Sequence, residues 1–153
     1  LGLNIMKTKR DKIRRLMIAI NRIDEFYYRT LRTLGMKGNT FVLFYAISDG
    51  KPYSQKQICD EWGIHRTTLN TVVQECVKAG YIQLISYGHK EKEIVLSESG
   101  KAYAEKLLSP ILAAEERAIQ PFMDDSFVNQ LESFTVHLEA EFQKIKSEQK
   151  QRK

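Results

Sequence analysis

Between Arg10 and Leu34, apolar side chains recur at Ile13, Leu16, Ile20, Ile23, Tyr27, Leu31 and Leu34. These steps of three and four line one face of a helix, which Gly35 and Gly38 close. Thr40 to Ile47 predicts a short buried helix ending at the turn Asp49-Gly50. Ser54 to Glu61 and His65 to Ala79 predict two more helices, separated by Gly63 and stopped at Gly80. The period then changes. Tyr81 to Tyr87 and Glu93 to Leu96 are rich in β-branched and aromatic residues, predicting an antiparallel hairpin with a polar tip at Gly88 to Lys92. Ser97 restarts helix as an N-cap with Glu98 in the first turn, and Pro110 is expected to kink or divide that helix. After Pro121, Asp124 and Asp125 are expected to cap a last helix, whose stripe is Phe127, Leu131, Phe134, Leu138, Phe142 and Ile145.

The first and last helices each carry a long apolar stripe that a chain of 153 residues has little room to bury alone. A two-fold homodimer joined through both termini is the expected solution. The fold class expected is therefore mainly α with a small antiparallel hairpin, in a single-domain protomer spanning residues 1–153. No Gly-, Ser- or Pro-rich linker divides the chain, and no repeat or low-complexity tract is present. The chain opens Leu1-Gly-Leu-Asn-Ile5, with Met6 a candidate native start.

Charge adds a hint of the partner. The formal net charge is +5, with ten Lys and Arg against three Asp and Glu in residues 1–37. A basic balance suits an anionic partner such as nucleic acid, although a solvated helix face gives the same excess. The two cysteines, Cys59 and Cys76, form no CxxC pair, so a disulfide scaffold and a Cys-rich zinc site are excluded. No apolar run approaches the roughly 20 residues that span a bilayer, and a cytoplasmic protein without membrane partners is expected.

Residues 54 to 82 carry the functional signal. Ile58 and Trp62 give the first helix of this pair an apolar face, with Cys59 small at the crossing. Gly63 permits a sharp turn, and Ile64 plugs the core from it. Leu69, Val72, Val73 and Cys76 face inward from the second helix. Arg66, Thr67, Asn70, Thr71 and Gln74 remain outside, a polar set able to reach base edges and phosphates. This is the pattern of a helix-turn-helix whose second helix enters the major groove.

Followed by Gly80-Tyr81-Ile82, a hairpin and Leu96-Ser-Glu-Ser-Gly100, the pair becomes a winged helix. Its element order, with long helices before and after, resembles the multiple-antibiotic-resistance regulator (MarR) family of bacterial transcription factors. Cys76-Val-Lys-Ala-Gly80-Tyr81 matches the family's Leu-Glu-x-x-Gly-Leu-like run, and Leu96-Ser-Glu-Ser-Gly100 its Leu-Thr-x-x-Gly run. The resemblance implies a winged helix-turn-helix over residues 40–97, with helices in 10–37 and 98–148 forming the dimer. It implies a repressor that binds a pseudo-palindromic site on double-stranded DNA and responds to a small aromatic effector. DNA contacts fall on Ser54, His65, Arg66, Thr67, Asn70, Thr71, Gln74, His89, Lys90 and Lys92. Effector contacts fall on Phe26, Tyr27, Phe44, Tyr45 and Tyr53, residues that ordinary core packing would also use. Two departures stand out. Gly88, His89 and Lys90 occupy the wing positions where the family usually carries Asp and Arg, and segment 54–96 has no net charge. They favour the alternative, a winged-helix protein-interaction module with weak or no DNA binding.

Other chemistries find little footing. The three histidines, His65, His89 and His137, are scattered without ligand spacing, so no metal or other cofactor is expected. No P-loop, GxGxxG, GxSxG or HExxH is present, and no catalytic activity is expected. Both cysteines fall where a helix-turn-helix buries a small side chain, which favours structural thiols over redox sensors.

Overall fold

The structure, a computed structural model, describes residues 2–88 and 91–151. The elements run α1 (Gly2–Thr33), α2 (Gly38–Ala46), β1 (Tyr53–Ser54), α3 (Gln55–Trp62), α4 (Arg66–Lys78), β2 (Ile82–Ile85), β3 (Glu93–Leu96), α5 (Glu98–Ile119), a 3₁₀ turn (Gln120–Phe122) and α6 (Ser126–Gln151). The mainly helical reading with a small antiparallel sheet is borne out. The chain forms two compact units that meet in sequence between Ser109 and Pro110.

The first unit holds the winged helix. Leu43, Phe44, Ile58, Leu69, Val73 and Ile94 are completely buried, so α2, α3, α4 and the sheet share one apolar core. Each such side chain contributes about 1.5–3 kcal/mol relative to exposure. The hairpin pairs Ile82 with Leu96 and Ile85 with Glu93. The short strand β1 adds to its other side, pairing Tyr53 with Ile94, so β3 is the central strand. Two residues are too few to show a strand period, and β1 exists only because β3 presents an edge to it.

Ser54 does two jobs at once. It ends β1 and caps α3: its hydroxyl accepts from the Gln57 amide at 3.2 Å, while its own amide donates to Gln57 Oε1 at 2.8 Å. This reciprocal box starts α3 one residue later than the apolar pattern indicates. The turn into α4 passes through Gly63 at φ +63°, a left-handed conformation that glycine adopts without a Cβ penalty. Trp62 is turned outward and half exposed, with its ring edge-on to Tyr45 at 5.4 Å. Cys76 is buried in the core and Cys59 only partly so.

Helix α5 continues through Pro110 as one element, so of the kink or division expected there the division does not occur. Pro110 and Lys106 are both exposed, and Pro110 has no amide to donate to the Lys106 carbonyl one turn before it. At the start of α5, the Ser97 hydroxyl accepts from the Gly100 amide at 3.0 Å and donates to the Gly80 carbonyl at 2.6 Å.

The second unit contains the end of α5, the 3₁₀ turn and α6. Asp124 accepts from the Ser126 hydroxyl at 2.9 Å where α6 begins. No residue of α6 is buried: Phe134 and Leu138 are half-buried, while Phe127, Leu131, Phe142 and Ile145 are exposed. In α1, Leu31 alone of the expected stripe is buried, and Ile13 and Ile23 are exposed.

Candidate nucleic-acid interface

Helix α4 is held by Leu69, Val72, Val73 and Cys76 on its inner side, which leaves the N-terminal turns of its other face in solvent. A cleft of about 500 Å³ opens between this face and the base of the wing, lined by Gln55, Arg66, Thr67, Asn70, Leu84, Glu91 and Lys92. Arg66, Thr67, Asn70 and Lys92 are thus brought together.

The remaining residues take different places. The His65 carbonyl accepts from the Leu69 amide, and its exposed side chain makes no capping bond. The Thr71 hydroxyl is turned back to the Thr67 carbonyl at 3.1 Å, and Gln74 lies one turn further along the exposed face. The Ser54 hydroxyl is engaged as the cap of α3. His89 and Lys90 lie outside the described residues.

Three cleft residues, Gln55, Leu84 and Glu91, escaped the sequence reading. Gln55 Nε2 donates to Asn70 Oδ1 at a long 3.5 Å, and the Ser54–Gln57 capping box is the signal that would have placed it at the first helical position. Glu91 Oε1 lies 3.9 Å from Arg66 Nη2. With the two side chains 78% and 48% exposed, such a pair contributes about 0–1 kcal/mol. It is too weak to hold Arg66 against a phosphate, which offers a charge-assisted, bidentate alternative.

The turn that follows α4 is tied to the start of α5. The hydroxyls of Ser97 and Ser99 both donate to the Gly80 carbonyl, and the Ser97 amide donates to the Tyr81 carbonyl. The Tyr81 ring stacks on Tyr103 at 4.2 Å. These contacts fix where α4 ends and the wing begins. Burial, and to a lesser degree Glu75, pushes the Cys76 thiol up from its ordinary value, which disfavours the reactive thiolate.

The aromatic residues separate into three groups. Tyr27 and Tyr45 line a second groove with Phe41 and Trp62. Phe44 is fully buried in the core, edge-on to Tyr103 at 5.1 Å. Phe26 is exposed on α1 beneath the Arg22 guanidinium, and the Tyr53 hydroxyl donates to Asp49 at 2.7 Å. Among the described residues, no three His, Cys, Asp or Glu side chains converge as a metal site, and no helix is long and apolar enough to cross a membrane.

A helix-turn-helix with an exposed polar recognition helix, backed by a three-stranded sheet, defines a winged-helix protein. The MarR family model matches residues 34–90. Among solved structures, NMB1585, a MarR family regulator from Neisseria meningitidis, superposes with a TM-score of 0.75 at 20% identity, covering 89% of this chain and 97% of that one. A MarR/EmrR family transcriptional regulator from Acinetobacter sp. ADP1 gives 0.61 at 15% identity over 86% and 96%. The PcaV transcriptional regulator from Streptomyces coelicolor, in complex with its natural ligand, gives 0.58 at 14% over 80% and 90%. No curated protein matches. Family model and fold agree, and the MarR resemblance read from the residues is borne out.

Proposed function

We propose that this protein is a sequence-specific DNA-binding transcriptional regulator of the cytoplasm, acting as a homodimeric repressor that a small ligand releases from its operator. The observation that carries the reading is the cleft that joins Arg66, Thr67 and Asn70 of α4 to Lys92 of the wing, an exposed donor and acceptor set on a helix whose opposite face is buried in the core. Asn can pair bidentately with adenine and Arg with guanine or phosphate. Residues 40–97 form the DNA-reading region, and the helices in 10–37 and 98–148 form the dimer. The exposed apolar side chains of α1 away from the groove, Ile13, Met17 and Ile18, and those of α6 support that dimer, because a second copy removes them from water at about 25 cal/mol per Å².

The mechanism is geometric. Two recognition helices enter successive major grooves when they lie about 34–36 Å apart. A ligand that favours another separation weakens DNA binding by its differential affinity for the two arrangements, without touching DNA. The ligand complex of the PcaV regulator supports a ligand-responsive reading.

Selection of duplexes from a random DNA pool tests the proposal. Enrichment of a two-fold-symmetric sequence is the expected result. Recovery of no preferred sequence favours the winged-helix protein-interaction module, for which the uncharged balance of segment 54–96 and the lack of arginine at positions 88–90 speak.

A further inference from the structure

The groove formed by α1, α2 and α3 has a volume of about 550 Å³, within the roughly 300–1,000 Å³ that accommodates a small organic ligand. Its wall is a continuous run of rings. Tyr27 lies 6.1 Å from Phe41, Phe41 lies 5.3 Å from Tyr45, and Tyr45 lies 5.4 Å from Trp62. Among the described residues lining the groove, Asp24 is the single charged side chain, and neither Lys nor Arg is present.

This lining selects a charge type. The faces of aromatic rings carry the negative lobe of their quadrupole and attract cations. A carboxylate placed here would lie beside the Asp24 carboxylate with no Lys or Arg in the lining to pair with it. An ammonium group gains from the rings and from Asp24 together, while its apolar body covers Ile23, Leu31 and Val42. We propose that the groove binds a small organic cation with a hydrophobic or aromatic body. The proposal names the ligand class of the regulator described above and depends on that reading only for the regulatory consequence; the binding itself needs no DNA.

Trp62 is the only tryptophan in the chain and lines the groove, so its emission reports occupancy directly. The probes are benzyltrimethylammonium, its uncharged carbon isostere neopentylbenzene, and benzoate, each titrated into the full-length protein without DNA. The expected result is saturable change with benzyltrimethylammonium, binding about tenfold weaker with the isostere, and none with benzoate. Asp24→Asn should weaken the cation about tenfold and leave the isostere unchanged. Asp24 is exposed on α1, and circular dichroism verifies that the variant folds. Benzoate binding as tightly as the cation, an Asp24→Asn variant that binds the cation as the parent does, or no saturable response to the cation overturns the proposal. A mobility-shift assay with the selected duplex is run separately. Loss of DNA binding there counts against the regulator, whereas loss of the fluorescence response counts against the cation site.

Discussion

A β-carbon placed on Gly100 would lie 1.9 Å from the carbonyl oxygen of Tyr81. No real side chain tolerates that distance, so the first turn of α5 packs directly on backbone just after the recognition helix. The same carbonyl accepts from the Ser97 amide, and the Ser97 hydroxyl reaches both Gly80 and Gly100. Glycine at position 100 therefore sets the spacing between α5 and the end of α4.

Gly100→Ala should destabilise the protein by about 3 kcal/mol, because the obstructing atoms are backbone and the helix must move. Ser97→Ala should cost about 1–2 kcal/mol through loss of the cap and of the bond to Gly80. Urea denaturation followed by circular dichroism measures both. A Gly100→Ala variant as stable as the parent would show that α5 and the turn at Tyr81 separate freely.

On the exposed face of α4, Asn70→Ala or Arg66→Ala should lose about 1–3 kcal/mol at the selected duplex and relax discrimination there, if either reads a base. Lys92→Ala and Lys90→Ala should weaken selected and scrambled duplexes alike and flatten the dependence on salt, since fewer counterions are released. Titrations at two salt concentrations make the comparison. Parent-like binding by every variant would remove this face from consideration as the DNA-binding surface.

Glu91→Gln should act in the opposite direction. It removes a negative charge 3.9 Å from Arg66, so affinity for any duplex should rise a few-fold and the salt dependence should steepen. The same titrations reveal it, and weaker binding would indicate that Glu91 positions Arg66 rather than competing for it.

Assembly rests on the terminal helices. Sedimentation of the intact protein at micromolar concentration should show a dimer, and deletion from Asp124 onward should yield aggregation or a poorly folded monomer of lower thermal stability. A well-behaved monomer of the full chain sinks the dimer.

The two thiols should differ in reactivity. Cys76 is buried with its thiol pushed up in pKa, so little thiolate forms near neutral pH, while Cys59 is partly exposed. With an aromatic disulfide reagent at pH 8, one thiol should react quickly and the second only after denaturation. Equal rates for both would contradict the packing of α4.

Asp49 provides a pH check on the loop before β1. The Tyr53 hydroxyl and then the Lys51 amide donate to its carboxylate and hold it below the ordinary 3.8. A carboxylate depressed on folding stabilises above its unfolded pKa, and that stabilisation is lost as pH falls through the lower folded value. Tyr53→Phe should move the carboxyl back toward its ordinary value in a carbon-detected NMR titration. An unmoved titration would mean that the hydroxyl is not its donor in solution.

Much of this architecture could be read along the chain, and the reason is local. Steps of three and four put Ile58, Leu69, Val72, Val73 and Cys76 on helix faces, and Gly63 between them marked the turn. The change of period at Tyr81 marked the wing, and from these the exposed set at Arg66, Thr67 and Asn70 followed by elimination. Other features depend on pairing between distant segments, which no local period encodes. Strand β1 exists because Tyr53 meets Ile94. Phe44 and Tyr45 are sequence neighbours, yet the first is sealed in the core against Tyr81 and Tyr103 and the second lines the groove between Phe41 and Trp62, because successive residues of α2 meet different neighbouring segments. Trp62 follows the apolar pattern of α3 but is turned outward onto Tyr45. Glu91 lies 25 residues from Arg66 in the chain, and only the fold of the wing brings them within reach. Periodicity determined which face of each helix is apolar; the register of the sheet and the packing of α2 decided which of those apolar residues meet one another and which remain open to a ligand.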